Sequence, residues 1–176
     1  MNDDLARLIR TIPDYPRKGI LFRDITTLLL DGAGFALAVE RMAEVAGNDF
    51  DLIAGIEARG FVFGAALAHR LGKGMVLVRK KNKLPGTVIG INYALEYGED
   101  RVEVHADAIA PGARILLVDD LIATGGTALA AAQLLRAGGA IVTRAAFVID
   151  LPGLGGANRL RAAGVEVAAL IAFDGD

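Results

Sequence analysis

The chain has 176 residues, enough for one domain plus an elaboration and for a core that needs no covalent staples. It has no cysteine, which excludes a disulfide scaffold, a thiol nucleophile and cysteine-ligated zinc, and its two histidines, His69 and His105, leave little for a histidine metal site. Lys+Arg 19 against Asp+Glu 21 give a net charge of -2, so no global basic field recruits nucleic acid.

Hydrophobic residues make up 53% of the chain. The longest charge-free run is the 15 residues from Leu121 to Leu135, too short for a membrane span and broken by Thr124, Gly125, Gly126, Thr127 and Gln133. The acidic start MNDD carries no apolar signal core, so a cytoplasmic protein is expected. The spare apolar surface suggests a homodimer.

In chain order, Asp3 or Asp4 can cap a short helix carrying Leu5, Leu8, Ile9 and Ile12 on one face, ended by Pro13 and Pro16. Residues 13–24 read as an irregular, turn-rich arm. Helical spacing returns over 35–46, LIAGI at 52–56 reads as a buried parallel strand, and 60–71 as a helix stopped by Gly72. MVLVR at 75–79 is a strand, 80–92 a basic mobile loop, and 92–97 with 101–105 a hairpin. ARILLVDD at 113–120 is the strongest strand, followed by a helix over 126–137, a strand over 141–150, a helix over 155–163 and a strand over 165–173. This alternation predicts an α/β domain with a doubly wound parallel sheet, to which an N-terminal arm and a hairpin are added.

The segment LLVDDLIATGGT, 116–127, is where chemistry is expected. An apolar strand ends in two acids, then a Thr-Gly-Gly-Thr turn opens a helix. Strand ends of open α/β sheets form ligand crevices, and a glycine turn at a helix start is an anion nest. Thr124 and Thr127 offer hydroxyls, and Gly125 and Gly126 let backbone approach a phosphate. Two carboxylates ahead of the nest disfavour a phosphate but suit hydroxyls or a divalent cation. A ligand with both a phosphate and a vicinal diol is a ribose 5-phosphate. The strand end is expected to be exposed. No G-x-G-x-x-G follows a first strand, and no Gly-Lys-Ser/Thr occurs, which argues against dinucleotide and ATPase sites.

VDDLIATGGT, 118–127, resembles the phosphoribosyl diphosphate (PRPP) motif of type I phosphoribosyltransferases. PDYPRKGILFRDIT (13–26), GIEARGFVFGAALA (55–68), KLPG (83–86) and YALEYG (93–98) resemble the adenine phosphoribosyltransferases. The resemblance implies transfer of the 5-phosphoribosyl group from PRPP to adenine, giving AMP and pyrophosphate in purine salvage. It implies a single domain over 1–176, with 1–30 as a hood over the base. Asp119 and Asp120 would hold the ribose hydroxyls, Asp120 also helping Mg2+ through water. Ala123, Thr124, Gly125, Gly126 and Thr127 would cradle the 5-phosphate. Arg59 and Gly60, the site in that family of a non-proline cis peptide, would bind pyrophosphate, with Gly60 suiting strained backbone. Arg79, Lys80 and Lys83 would join them, and Asn82 stands where relatives often have glycine. His105 is either a pyrophosphate contact or a surface histidine. Backbone at Leu21 and Arg23 would read adenine, and Phe22 either stacks on it or packs in the core. Glu96 would exchange the N7 proton, with Tyr97 over the site. A non-catalytic PRPP sensor and an enzyme for a 6-oxopurine are the alternatives. The retained Arg59, basic loop and Glu96 weigh against the first, the hood and LEYG hairpin against the second.

Overall fold

The structure is a computed structural model that describes residues 2–94 and 98–173. Nine strands and six α-helices form among these residues. α1 (Asp3–Ala6), β1 (Arg10–Pro13), β2 (Leu21–Asp24), α2 (Thr26–Leu30) and α3 (Gly32–Ala46) come first. β3 (Leu52–Ile56), α4 (Arg59–Leu71), β4 (Gly74–Lys80), β5 (Val88–Ala94) and β6 (Glu99–His105) follow. β7 (Arg114–Ile122), α5 (Gly126–Ala137), β8 (Ile141–Asp150), α6 (Gly156–Ala162) and β9 (Glu166–Ala172) complete the order.

The main sheet runs β5-β6-β4-β3-β7-β8-β9. Its five-strand centre from β4 to β9 is parallel, and the β5–β6 hairpin adds antiparallel at one edge. Alternate side chains along each strand feed opposite layers, as a pleated strand requires. Ile53, Leu116, Val118, Ala146 and Val148 pack on the side of α3 and α4. Ala54, Ile56, Ile115, Leu117 and Phe147 pack on the side of α5 and α6. The expected doubly wound α/β sheet is therefore present.

The N-terminus differs from its expected helix. α1 spans only Asp3–Ala6, and Arg10–Pro13 becomes a strand paired with β2. Leu5 and Ile9 are buried in the core, while the strand pairing satisfies the backbone beyond them. Only the β1–β2 hairpin forms a separate sheet, so the described part of the 1–30 segment divides between the core and this hairpin. The loop after β4 is shorter than expected, because Val88 already pairs with His105. Ile89, Ile91 and Tyr93 pack on the α5 side, the period-2 pattern of a half-buried strand.

Candidate active site

β4 lies on one side of β3 and β7 on the other, so successive crossovers leave β3 in opposite directions. The crevice of an open sheet forms at that switch point. There a cleft is lined by Ile56, Glu57, Lys80, Asp119 and the run 121–128. Gly125, the N-cap of α5, has φ 75° and supplies no side-chain cap. α3 contrasts with it: Asp31 caps that helix by accepting from the Gly34 N–H at 2.8 Å. The N–H groups opening α5 are thus left facing a ligand cleft. The turn rests on α6. A Cβ on Gly125 would lie 2.9 Å from the Gly156 Cα, and one on Gly156 would lie 2.3 Å from the Ala123 carbonyl oxygen. Gly156 was not legible as a site residue, because it lies 31 residues (156 − 125) away along the chain.

Asp119 and Asp120 stand at this turn, and the expectation of an exposed strand end is corrected: Asp120 is 3% exposed and Asp119 half-buried. β7 continues to Ile122, so its neighbours still cover the pair. The Asp120 N–H donates to Asp119 Oδ1 at 2.9 Å. Burial, then the neighbouring Asp120 charge, pushes the Asp119 carboxyl well up. Burial also pushes Asp120 up, offset only in part by Arg59. Arg59 Nε lies 3.0 Å from Asp120 Oδ2, but its N–H is not aligned, and this buried oxygen accepts no hydrogen bond. A hard cation fits two crowded carboxylates with an orphaned oxygen. No cluster of three or more acidic or histidine side chains accompanies them among the described residues, so ligand oxygens would complete its shell.

Gly60 sits against this pair. A Cβ there would be 2.8 Å from both Asp119 Oδ1 and the Val118 carbonyl oxygen. Close approach explains the glycine, and strain does not, because Arg59 and Gly60 already form the first turn of α4. The non-proline cis bond is Glu57–Ala58, immediately before that helix rather than at Arg59–Gly60.

Arg79 and Lys80 end β4. Arg79 Nε donates to Glu57 Oε2 at 2.9 Å, and the Lys80 N–H donates to the same oxygen at 2.7 Å. Burial works against the Glu57 charge, but these donors and the nearby Lys83 hold its carboxyl low. Asn82 has φ 62°, a left-handed conformation that glycine adopts freely and Asn tolerates. Glu103 holds it there by accepting the Asn82 N–H at 3.0 Å. His105 lies elsewhere, in a cleft with Pro85, Gly86, Thr87 and Asp107. The cause is register: β6 runs antiparallel to β4 with Arg79 opposite Glu103, so His105 is carried away from the mouth.

The hood approaches through Phe22, whose ring is 5.5 Å from the Arg59 guanidinium carbon and 5.2 Å edge-on from Tyr15. Phe22 is half-buried and outside the main core, so the core-packing alternative falls away. The Arg23 side chain is buried, donating to Thr11 Oγ1 at 2.6 Å and stacking over Phe173, while its Nε has no hydrogen-bond partner. β2, with Leu21, pairs on one edge only, leaving backbone groups on the other. Glu96 and Tyr97 lie outside the described residues. Tyr93, Asp100 and Glu57 also join the site: the first and last lie within the YALEYG and GIEARGFVFGAALA motifs, which gave them no role, and Asp100 lies in none.

The phosphoribosyl transferase domain family matches residues 26–159. The adenine phosphoribosyltransferase of Sphingopyxis alaskensis is 60% identical over 174 residues, covering 98% of this chain and 95% of the relative. The crystal structure of adenine phosphoribosyltransferase from Thermoanaerobacter pseudethanolicus superposes with TM-score 0.93 at 46% identity, over 98% of this chain and 100% of that one. The Saccharomyces cerevisiae enzyme, solved with adenine and an imino-altritol bisphosphate, gives TM-score 0.89 at 36% identity, over 96% and 97% of the two chains.

Proposed function

We infer, from a chain that belongs to the phosphoribosyl transferase domain family, an enzyme of purine salvage: it transfers the 5-phosphoribosyl group of PRPP to adenine, giving AMP and pyrophosphate. The observation that carries this function to named residues is the crowded Asp119–Asp120 pair directly ahead of an uncapped glycine turn.

The 5-phosphate sits on the N–H groups of 123–127 and the Thr124 hydroxyl, where the start of α5 adds about 0.3–1 kcal/mol of dipole attraction. Asp119 and Asp120 accept from the ribose hydroxyls. Asp120 would hold, through water, the Mg2+ that comes with PRPP, and that ion would supply charge to offset the leaving group. Arg59, Gly60, Arg79, Lys80 and Lys83 face the pyrophosphate side. Arg59 also relieves Asp120, so it links the sugar end to the leaving group. As the bond from C1 to pyrophosphate lengthens, positive charge builds on the ribose, and adenine N9 attacks C1. The fixed cations favour the departing charge, and holding both partners in line lowers the barrier further. Glu96 takes up the N7 proton as charge develops on the purine, a step worth about 10²–10⁴-fold. Phe22 stacks on the base, and the free backbone edge at Leu21 and Arg23 offers the donor and acceptor pair that N1 and N6 require. A 6-oxopurine presents the reverse pattern and leaves those groups unpaired.

The chain acts as a single domain in the cytoplasm and as a homodimer. No helix among the described residues is long and apolar enough to cross a membrane. The function is tested by assaying adenine, hypoxanthine and guanine with PRPP and Mg2+ for pyrophosphate release. Adenine alone should turn over well; equal turnover of hypoxanthine would show the hood assigned wrongly.

A further inference from the structure

Tyr93 is the penultimate residue of β5 and pairs with Asp100 on β6. Lys80 Nζ donates to its hydroxyl oxygen at 2.6 Å, and the hydroxyl donates to Asp100 Oδ2 at 2.9 Å. Thr127 Oγ1 donates to the same oxygen at 3.1 Å. Lys80 also pairs with Asp100 directly. A phenol donates once and accepts twice, so Tyr93 uses its full capacity.

The proton directions follow from charge. Burial works against the Asp100 carboxylate, but Lys80, its own neighbour's N–H and Tyr93 hold it ionised. An ionised carboxylate only accepts, so the Tyr93 proton belongs to Asp100. Thr127 must then give its proton to Tyr93. One oxygen therefore joins a hydroxyl of the α5 turn to an ammonium at the end of β4.

These two groups belong to opposite ends of the ligand. On the function inferred above, Thr127 serves the 5-phosphate through its backbone N–H, its one hydroxyl proton being given to Tyr93, Lys80 serves the pyrophosphate, and the ribose fixes the distance between them. We propose that Tyr93 is a positioning residue, a strut that holds the two anion-binding groups at the span of PRPP. A held span favours a two-ended ligand over either half, because less motion is lost when both ends bind. The single Tyr93 hydroxyl is the only part of the side chain this role needs, so Tyr93→Phe keeps the ring packed and removes the strut.

Calorimetry with PRPP, ribose 5-phosphate and inorganic pyrophosphate tests it on the full chain. Tyr93→Phe should keep the parent melting curve, weaken each half about threefold, as a lost single hydrogen bond does, and weaken PRPP by more than the roughly tenfold product of those two losses. In a Thr127→Val background, Tyr93→Phe should cost ribose 5-phosphate nothing further, while pyrophosphate binding still falls through Lys80. A merely structural Tyr93 would give losses that add in full to those of Thr127→Val, and that result overturns the strut. Parent affinities for both halves in Tyr93→Phe would overturn it equally. If Thr127→Val alone binds ribose 5-phosphate as the parent does, the link from its hydroxyl to Tyr93 does not position the turn and the strut is overturned.

Discussion

Asp119 and Asp120 carry a conflict that a ligand resolves. Both carboxyls are pushed above their ordinary value by burial, and Asp119 further by its neighbour. Between the unfolded value and the raised one, the folded chain binds more protons than the unfolded chain, so stability falls as pH rises through that window. Asp119→Asn removes one charge and keeps an acceptor for the Asp120 N–H. The variant should melt about 2–4 °C higher than the parent at neutral pH for each kcal/mol relieved, converging with it toward about pH 4, while PRPP binding is lost. A melting point below the parent's at neutral pH would contradict the crowding. The pair and its glycine turn were legible in the sequence, because ligands and turn sit within ten residues. Tyr93, Asp100 and Glu57 were not. Their partners come from distant segments through strand pairing, so the motifs that contain Tyr93 and Glu57 gave neither a role, and nothing local marks Asp100.

At the scale of elements, the hood depends on one buried carboxylate. Asp24 ends β2, pairs with Arg10 on β1, and accepts from the Thr26 N–H at 2.9 Å. The Arg10 hydrogen bond, then the Thr26 N–H, hold its pKa at about 2 against 3.8. A depressed carboxylate stabilises the fold above its unfolded value and loses that contribution as pH falls to its folded one. Asp24→Asn should therefore melt lower than the parent at pH 7, with the gap closing between 3.8 and about 2. Thermal melts across that range check it; a gap independent of pH would mean the carboxylate charge is idle. The strands and helices from β3 onward, apart from β5, whose first residues read as loop, were legible because long apolar runs alternate with glycine stops. The arm was not, since a helical spacing of Leu5 and Ile9 also fits a chain that buries both and then turns into a strand.

For the whole molecule, the homodimer proposed above would bury the α3–α4 face. Phe35, Ala36, Val39 and Ala66 line a shallow apolar groove beside an Arg70–Glu40 pair, with Nε 2.6 Å from Oε1. Val62 is 38% exposed and Leu77 41% exposed, which leaves apolar surface uncovered in one chain. Light scattering at micromolar concentration should give twice the 18.4 kDa chain mass. A fully active monomer would assign the apolar excess to internal packing alone.

The contact between Gly125 and Gly156 limits how far the phosphate loop can be transplanted. The segment from Val118 to Thr127 carries the carboxylates, hydroxyls and N–H groups, yet its curve is set by a backbone lying against it from the next helix. Grafted onto another parallel sheet, those ten residues would bring the ligands without their template. The portable unit is the loop together with the Gly155-Gly156 start of α6, two pieces that must be moved as one.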